Sequence, residues 1–145
     1  MTVRRGTSAD VPRASQIWRD AVGATHRFVT AGDRAQIDRM VVEWLPTVDL
    51  WIVDDGPHAV GFLVMDGNMI DALFVDPAVH GRGFGTALLD HALTLAPHAV
   101  VDANEQASNA LPFYQARGFV PASRSETDRQ GRPYPLIRLA YRGRR

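Results

Sequence analysis

A glycine-rich segment places the strongest constraint on how this chain folds. The stretch Leu73–Leu93 begins with an apolar run that stops at Pro77, continues through glycines at positions 81, 83 and 85, and then becomes amphipathic. Glycine has no side chain to bury, and it adopts positive φ without steric cost. This order therefore predicts a strand, a loop of bare backbone, and a helix that begins directly after the loop.

Bare backbone at the start of a helix is suited to binding an anion, because the first N–H groups have no acceptor and the helix dipole is positive there. Two phosphate-binding motifs are nevertheless excluded. A Walker loop requires a lysine, whereas all 16 basic residues of this chain are arginine. A dinucleotide fingerprint requires a third glycine, but that position is Thr86 counted from Gly81 and Leu88 counted from Gly83.

Composition limits the classes of protein that fit. A chain of 145 residues suits one domain, so we expect residues 1–145 to form a single domain. With no long apolar stretch and no signal-peptide pattern, we expect a cytoplasmic protein without a membrane segment. Sixteen basic residues balance sixteen acidic ones, which argues against a nucleic-acid partner. The absence of cysteine excludes a thiolate metal site and an acyl-cysteine intermediate, and no other metal site is predicted.

The hydrophobic patterns predict seven strands and four helices in the order β-α-α-β-β-β-α-β-α-β-β. This order mixes antiparallel meanders with a crossover helix, so the predicted class is α+β with one mixed sheet. The predicted strands cover residues 2–6, 49–55, 58–67, 69–76, 99–105, 119–126 and 134–142. The predicted helices cover residues 11–22, 34–45, 85–96 and 108–118.

The glycine loop resembles the pyrophosphate-binding loop of the GNAT family of N-acetyltransferases, which has the pattern Gln/Arg-x-x-Gly-x-Gly/Ala. His80 takes the first place of that pattern, and Gly83 and Gly85 take the last two. The strand before the loop and the helix after it also match the family. The departure is His80, where Gln or Arg is usual, which changes one side-chain contact but leaves the backbone amides. The ligand implied by this resemblance is acetyl-CoA.

A second segment resembles another motif of the same family, Asn-x-x-Ala-x-x-Phe-Tyr-x-x-x-Gly-Phe, with slightly compressed spacing. The matching residues are Asn109, Ala110, Phe113, Tyr114, Gly118 and Phe119. The resemblance covers most of the chain from Leu50 onward. It extends to the YjaB-like bacterial branch, which is associated with protein-lysine acetylation, through residues 24–28, 71–77, 104–106 and 124–141.

The resemblance implies a GNAT fold, with a twisted and mostly antiparallel sheet flanked by four helices. In that fold the fourth strand is bulged and splayed from the fifth, and the pantetheine arm of CoA lies between them. Main-chain groups of Phe74 and Val75 then bind the pantetheine amides, and the N–H of Leu73 or Phe74 faces the thioester oxygen. The cofactor-binding residues implied in this way are Leu73, Phe74, Val75, His80, Gly81, Arg82, Gly83, Phe84, Gly85, Thr86, Asn109, Phe113 and Tyr114.

Acetyl transfer needs a proton donor for the departing thiolate and a proton acceptor for the amine. Tyr114 is the candidate general acid, because a phenol with a pKa near 10 is protonated at neutral pH. A core aromatic with a hydrogen-bonded hydroxyl is the structural alternative for Tyr114, and a helix cap is the alternative for Asn109.

The proton acceptor is less narrowly defined by the sequence. Glu105 at the end of the predicted fifth strand and Asp71 on the fourth are candidates, and either could instead bind a cationic acceptor. His26 lies in the loop between the first two helices, which covers the acceptor pocket in this family. The resemblance therefore implies an acceptor pocket that includes His26, Phe28 and Tyr134.

The predicted function is transfer of acetyl from acetyl-CoA to a primary amine of a small molecule or a protein, by direct attack in a ternary complex. The alternative is a degenerate member of the family that binds acyl-CoA as a sensor without turnover. Exposed edge strands at the C-terminal end would allow a homodimer.

Overall fold

Seven strands form one mixed sheet in the computed structural model, which describes residues 1–144. The strands are β1 (Val3–Arg5), β2 (Trp51–Asp55), β3 (His58–Asp66), β4 (Met69–Val75), β5 (Val100–Asn104), β6 (Phe119–Ser125) and β7 (Leu136–Tyr141). The helices are α1 (Val11–Thr25), α2 (Ala31–Trp44), α3 (Phe84–Leu95) and α4 (Ala110–Gln115). The predicted α+β class, the mixed sheet and the four helices are confirmed; the predicted domain extends to residue 145, which lies outside the described residues.

The strand order is β1-β2-β3-β4-β5-β7-β6. Strands β4 and β5 pair in parallel, and the other pairs of neighbouring strands are antiparallel. A parallel pair requires a crossover, and α3 supplies it between β4 and β5. This crossover places the glycine loop at the end of β4, on the side where ligands of such units bind.

Three helices have a boundary that differs by more than one residue from the predicted one. Helix α2 begins at Ala31 because the Thr30 hydroxyl accepts a hydrogen bond from the Asp33 N–H at 3.2 Å, which caps the helix earlier than predicted. Helix α1 continues to Thr25, three residues beyond the predicted end. Helix α4 is shorter than predicted because Gly118, with φ +95°, turns the chain into β6.

Apolar side chains cover both faces of the sheet. Ile52 and Val53 are adjacent in β2, point to opposite faces, and are both fully buried. Helices α1 and α2 cover the Ile52 face, and helices α3 and α4 cover the Val53 face. The first cluster includes Ile17, Trp18, Leu45, Phe62 and Val64, and the second includes Leu63, Leu88, Leu89, Phe119 and Leu139.

Strand β4 changes its pairing at Asp71. On the β3 side, Val64 pairs with Ala72 and Met65 with Ile70, so Asp71 is an extra residue in a β-bulge. On the β5 side, the parallel ladder has two residue pairs, Met69 with Val100 and Ile70 with Val101. Both changes occur at the same point, and the second half of β4 is hydrogen-bonded to β3 only.

The sheet has its edges at β1 and β6. Every residue of β6 after Phe119 is exposed, and the predicted homodimer stays a prediction. Within residues 1–144, no helix combines the length and the apolar character needed to cross a membrane.

Replacing Gly118 by alanine should destabilise the fold by about 2–4 kcal/mol, because a Cβ in the left-handed conformation is strained and overpacked. The added Cβ would lie 2.6 Å from the carbonyl oxygen of Gly143, far inside van der Waals contact. The measurement is urea unfolding, with Gly32→Ala as the matched control. No atom lies within 4 Å of a Cβ at Gly32, so that variant should gain up to about 1 kcal/mol from helix propensity. Equal effects of the two substitutions would contradict this account of Gly118.

Candidate active site

A cavity of about 790 Å³ opens where the ladder between β4 and β5 ends. Its walls come from residues 70–75 of β4, residues 101–104 of β5, the glycine loop, the first turns of α3 and α4, and the C-terminal end of α1. Most of the predicted site residues line this cavity. They are His26, Asp71, Leu73, Phe74, Val75, His80, Gly81, Gly83, Phe84, Gly85, Thr86, Asn109, Phe113 and Tyr114.

The glycine loop leaves a run of amide groups without acceptors. Gly81 and Gly83 have φ values of +78° and +90°, a conformation that favours glycine, and α3 begins directly after them. The first helical bond of α3 runs from the Ala87 N–H to the Gly83 oxygen at 3.0 Å. In the part of the chain that the structure describes, the N–H groups of residues 81–86 have no hydrogen-bond acceptor. Together with the helix dipole, these groups can bind an anion.

Two polar side chains of the loop lie at its outer surface. His80 is exposed and borders the cavity. Arg82 is not one of the lining residues, and its guanidinium donates hydrogen bonds to both oxygens of Asp55 at 3.0 and 3.5 Å. The predicted cationic contact from Arg82 would therefore require it to leave Asp55.

Gly85 allows α4 to lie against the first turn of α3. A Cβ at Gly85 would lie 3.1 Å from Cε1 of Phe113, so a larger residue would push α4 away. Arg117 ties the two helices together, since its Nε donates to Thr86 Oγ1 at 2.9 Å and its Nη1 donates to the Phe113 oxygen at 2.8 Å. Arg117 also lines the cavity. The sequence analysis did not identify Arg117 as a site residue. Its position between Tyr114 and Gly118 of the second motif could have indicated that it lies near the site.

Tyr114 is buried beside the cavity, with 7% of its surface exposed. Its ring packs edge-on against Phe113 at 5.1 Å and against Phe119 at 5.3 Å. Burial raises the pKa of the Tyr114 phenol above its ordinary value. Among residues 1–144, no group forms a hydrogen bond with its hydroxyl, so the alternative of a hydrogen-bonded core tyrosine is not supported. This hydroxyl is available to a ligand in the cavity.

Asn109 precedes α4 and is exposed at the rim of the cavity. Its side chain makes no capping hydrogen bond; the contact to α4 is from the Phe113 N–H to the Asn109 backbone oxygen at 3.2 Å. Asn109 is therefore the N-cap residue of α4, as the alternative predicted, and it caps the helix through its backbone oxygen and not through its side chain.

Two aspartates from the diverging strands line the cavity. Asp71 Oδ1 accepts a hydrogen bond from Arg129 at 3.4 Å, and Asp102 Oδ2 accepts one from Arg129 at 3.2 Å. Asp102 also accepts two from Arg138, at 2.8 and 3.0 Å, and this guanidinium holds the pKa of Asp102 below its usual range. Sequence reasoning missed Asp102. The signal was a charged residue between the buried Val101 and Ala103 in an otherwise apolar strand.

Glu105 does not line the cavity. Its carboxylate accepts two hydrogen bonds from Arg124, both at 2.9 Å, and this pairing lowers the pKa of Glu105. The structure therefore does not bring Glu105 together with Tyr114, and a catalytic role of Glu105 stays a prediction.

His26 has a defined orientation at the end of α1. The Thr25 hydroxyl donates to the Ala21 oxygen at 2.8 Å, so its own oxygen is free to accept from His26 Nδ1 at 2.7 Å. This pattern assigns the proton of a neutral ring to Nδ1 and leaves a lone pair on Nε2. Burial, followed by the charge of Arg34, lowers the pKa of His26, which favours the neutral ring.

Phe28 and Tyr134 belong to the same aromatic cluster as His26, but they do not line the cavity. The ring of Phe28 lies 5.4 Å from His26 and 5.9 Å from Tyr134. The Tyr134 hydroxyl donates to Asp33 and accepts from the Thr30 N–H. Tyr134 therefore fixes the loop between α1 and α2, which carries His26 and Phe28.

Comparisons with known proteins agree with the fold. A family model described as an acetyltransferase (GNAT) domain matches residues 19–135. The chain is 42% identical to peptidyl-lysine N-acetyltransferase YjaB of Salmonella typhimurium, over 97% of this chain and 98% of that protein. The solution structure of apo YjaB from Escherichia coli is 40% identical, with a TM-score of 0.92 and coverage of 98% and 97%.

A Bacillus anthracis acetyltransferase structure in complex with acetyl coenzyme A has the same fold, with a TM-score of 0.59 at 20% identity, over 65% of this chain and 61% of that one. The fold and the family model define an acyltransferase. The chain belongs to the GNAT family of acetyltransferases, and its predicted resemblance to the YjaB-like branch is confirmed.

Replacing Tyr114 by phenylalanine should leave the free energy of unfolding of the ligand-free protein within about 0.5 kcal/mol. The reason is that the hydroxyl forms no hydrogen bond within residues 1–144 and is not among the fully buried unpaired polar atoms, so its removal breaks no bond of the ligand-free fold. Tyr114→Ala should cost about 3–5 kcal/mol, because it removes the whole packed ring. Urea unfolding of both variants measures the difference. A loss above about 1.5 kcal/mol in the phenylalanine variant would indicate a hydrogen bond that contradicts this description.

Proposed function

We propose that this chain transfers the acetyl group of acetyl-CoA directly to a primary amine in a ternary complex, and that the amine is that of a lysine side chain or a small cationic molecule. One observation carries the proposal: a single cavity contains unpaired loop amides, the edge of β4 that lacks a strand partner, and the free hydroxyl of Tyr114. The names of the Salmonella and Escherichia coli relatives support a lysine acceptor.

The loop fits a diphosphate group. Six amide groups, those of residues 81–86, lack acceptors within the described chain, and the dipole of α3 adds positive potential at the same place. Arg117, which lines the cavity beside Thr86, adds a full positive charge. Residues 81–86 and Arg117 would therefore hold the pyrophosphate of CoA, and Asn109 would contact the cofactor at the rim.

The second half of β4 fits the pantetheine arm. From Leu73 to Val75 the backbone pairs with β3 on one side and has no strand partner on the other, so the arm can bind there as an extra strand between splayed β4 and β5. The N–H of Leu73 or Phe74 would polarise the thioester oxygen. Acetyl-CoA supplies the activated acetyl carbonyl, and the protein supplies position and proton transfer.

The proton balance involves two side chains on opposite walls. The acceptor ammonium first loses one proton to His26 Nε2, whose lone pair is left free by the bond of Nδ1 to Thr25. The neutral amine nitrogen then bonds to the acetyl carbon, the carbon–sulfur bond breaks, and the departing sulfur takes a proton from the Tyr114 hydroxyl. The Tyr114 phenolate recovers the second proton that the nitrogen loses as the amide forms, and His26 returns its proton to solvent. Burial keeps this phenol protonated across the neutral range, because it raises the pKa. His26 is preferred to Glu105 as the proton acceptor because Glu105 lies outside the cavity.

Tyr114→Phe should lower kcat by about 10²- to 10⁴-fold, the usual contribution of a positioned acid, and leave the Kd for acetyl-CoA unchanged. Thiol release from acetyl-CoA with a lysine peptide measures kcat, and calorimetry measures binding. A variant that keeps full kcat would exclude Tyr114 as the acid. A wild-type protein that binds acetyl-CoA but releases no thiol with any amine would indicate the sensor function instead.

The value of kcat/KM for the acceptor should rise with pH and show an inflection below pH 6.5, because the neutral ring of His26 is the active form and its pKa is lowered. His26→Ala should remove this inflection and reduce kcat.

Arg34→Gln is the sharper control for the pH profile. The positive charge of the Arg34 side chain lowers the pKa of His26, so removing that charge should move the inflection to higher pH without abolishing it. An inflection that survives in His26→Ala, or that does not move in Arg34→Gln, would assign it to another group.

A further inference from the structure

We propose that Asp71 and Asp102 form the binding site for the ammonium group of the acceptor lysine, and that Arg129 occupies this site until the acceptor displaces it. The inference rests on the proposed acetyl transfer, and it assigns the substrate-binding residues and an internal competitor. It is carried by the two contacts with which Arg129 bridges Asp71 of β4 and Asp102 of β5.

The carboxylates of Asp71 and Asp102 lie close enough together to bind one cation between them. Asp71 is the extra residue of the β4 bulge, and Asp102 is on β5, so the carboxylates come from the two strands that stop pairing at this point. Their side chains are only 16% and 11% exposed. Both line the same cavity as the unpartnered hydroxyl of Tyr114 and the ring of His26. An ammonium held there would lie in the cavity that also contains both proposed proton-transfer groups.

The two arginines at this site are held differently. Arg138 binds Asp102 with two short hydrogen bonds, at 2.8 and 3.0 Å. Arg129 makes one contact to each aspartate, at 3.2 and 3.4 Å, and the difference lies in this geometry because both arginine side chains are about half exposed, 52% for Arg129 and 47% for Arg138. Bidentate pairing at short distance is the stronger arrangement. Arg138 is therefore a fixed partner of Asp102, whereas Arg129 is the exchangeable cation.

The charges define the class of ligand. Two carboxylates carry two negative charges, and Arg138 compensates one of them permanently. The remaining negative charge is matched by one cation, which is Arg129 in the structure and would be the ammonium of the acceptor in the complex. This balance selects a singly charged alkylammonium, such as a lysine side chain, over a neutral amine.

The loop that carries Arg129 is ordered by its own hydrogen bonds. Asp128 Oδ1 accepts from the backbone N–H of Gln130 at 3.0 Å and of Arg132 at 2.8 Å, and Gly131 takes φ +83°. Only the Arg129 side chain has to rotate for the site to open, because the backbone of the turn is fixed independently of Asp71 and Asp102. The exchange therefore requires no rearrangement of the loop.

Steady-state kinetics with acetyl-CoA and a lysine peptide test the displacement. Arg129→Gln should lower the KM for the peptide by about two- to fivefold, the range expected for loss of an exposed ion-pair competitor, and leave the KM for acetyl-CoA unchanged. Asp71→Asn should raise the peptide KM by about tenfold or more. Arg144→Gln is the matched control, since Arg144 pairs with Asp90 of α3 and neither residue lines the cavity, and its KM values should not change. A peptide KM that is raised or unaltered in Arg129→Gln would overturn the proposal.

A binding experiment without acetyl-CoA separates this inference from the proposed reaction. Nα-acetyl-lysine methylamide should shift the Nε–Hε NMR signal of Arg129 in the wild-type protein, and the signal is assigned by its loss in Arg129→Gln. The norleucine analogue, which lacks the amine, should not shift it. If the lysine analogue binds and shifts the signal but no amine is acetylated, the proposed reaction fails and the binding site stands. If acetylation occurs and the signal does not shift, the binding site is refuted and the reaction stands.

Discussion

The end of hydrogen bonding between β4 and β5 is the feature on which the rest of the site depends. The parallel ladder has two residue pairs, and the bulge at Asp71 falls directly after them. A gap in the middle of a sheet normally leaves polar backbone groups without partners, which is costly. Here the two apolar clusters on opposite faces, one under α1 and α2 and one under α3 and α4, hold the two halves of the sheet in place. The fold can therefore keep an open strand edge for a ligand.

The second motif, residues 109–119, positions helix α4 by packing, and this packing places Tyr114 at the cavity. Gly85 lets the ring of Phe113 approach α3, and Arg117 fastens α4 to Thr86. Tyr114, the next residue after Phe113, is thereby buried at the cavity wall, and its hydroxyl has no hydrogen-bond partner among residues 1–144. The hydroxyl oxygen is not one of the fully buried unpaired polar atoms, so it can be solvated in the cavity until a ligand binds. The packing of Gly85, Phe113 and Arg117 therefore holds the Tyr114 hydroxyl at the cavity, where a ligand can bind it.

Local features of the site could be predicted from the sequence, and long-range pairings could not. Gly81 and Gly83 indicate a loop with positive φ before a helix, because glycine adopts that conformation more easily than any other residue. The two motifs indicate the family and therefore the fold. The partners of Asp71, Asp102 and Glu105 depend on arginines that are 19 to 58 residues away. Nothing in the local pattern shows that Glu105 pairs with Arg124 in solvent. Strand alternation could have placed Asp102 but not Arg129, since Arg129 reaches the site from a turn.

The use of arginine alone has a chemical consequence for the proposed reaction. All 16 basic residues of the chain are arginine, so a cation of this protein that enters the acceptor site carries a guanidinium. A guanidinium stays protonated at any physiological pH, and its delocalised nitrogens have no free lone pair for attack on a thioester. Arg129 can therefore neutralise Asp71 and Asp102 beside the acetyl donor without becoming a substrate. A lysine in the same place would present an amine that His26 could deprotonate, and the protein would acetylate itself.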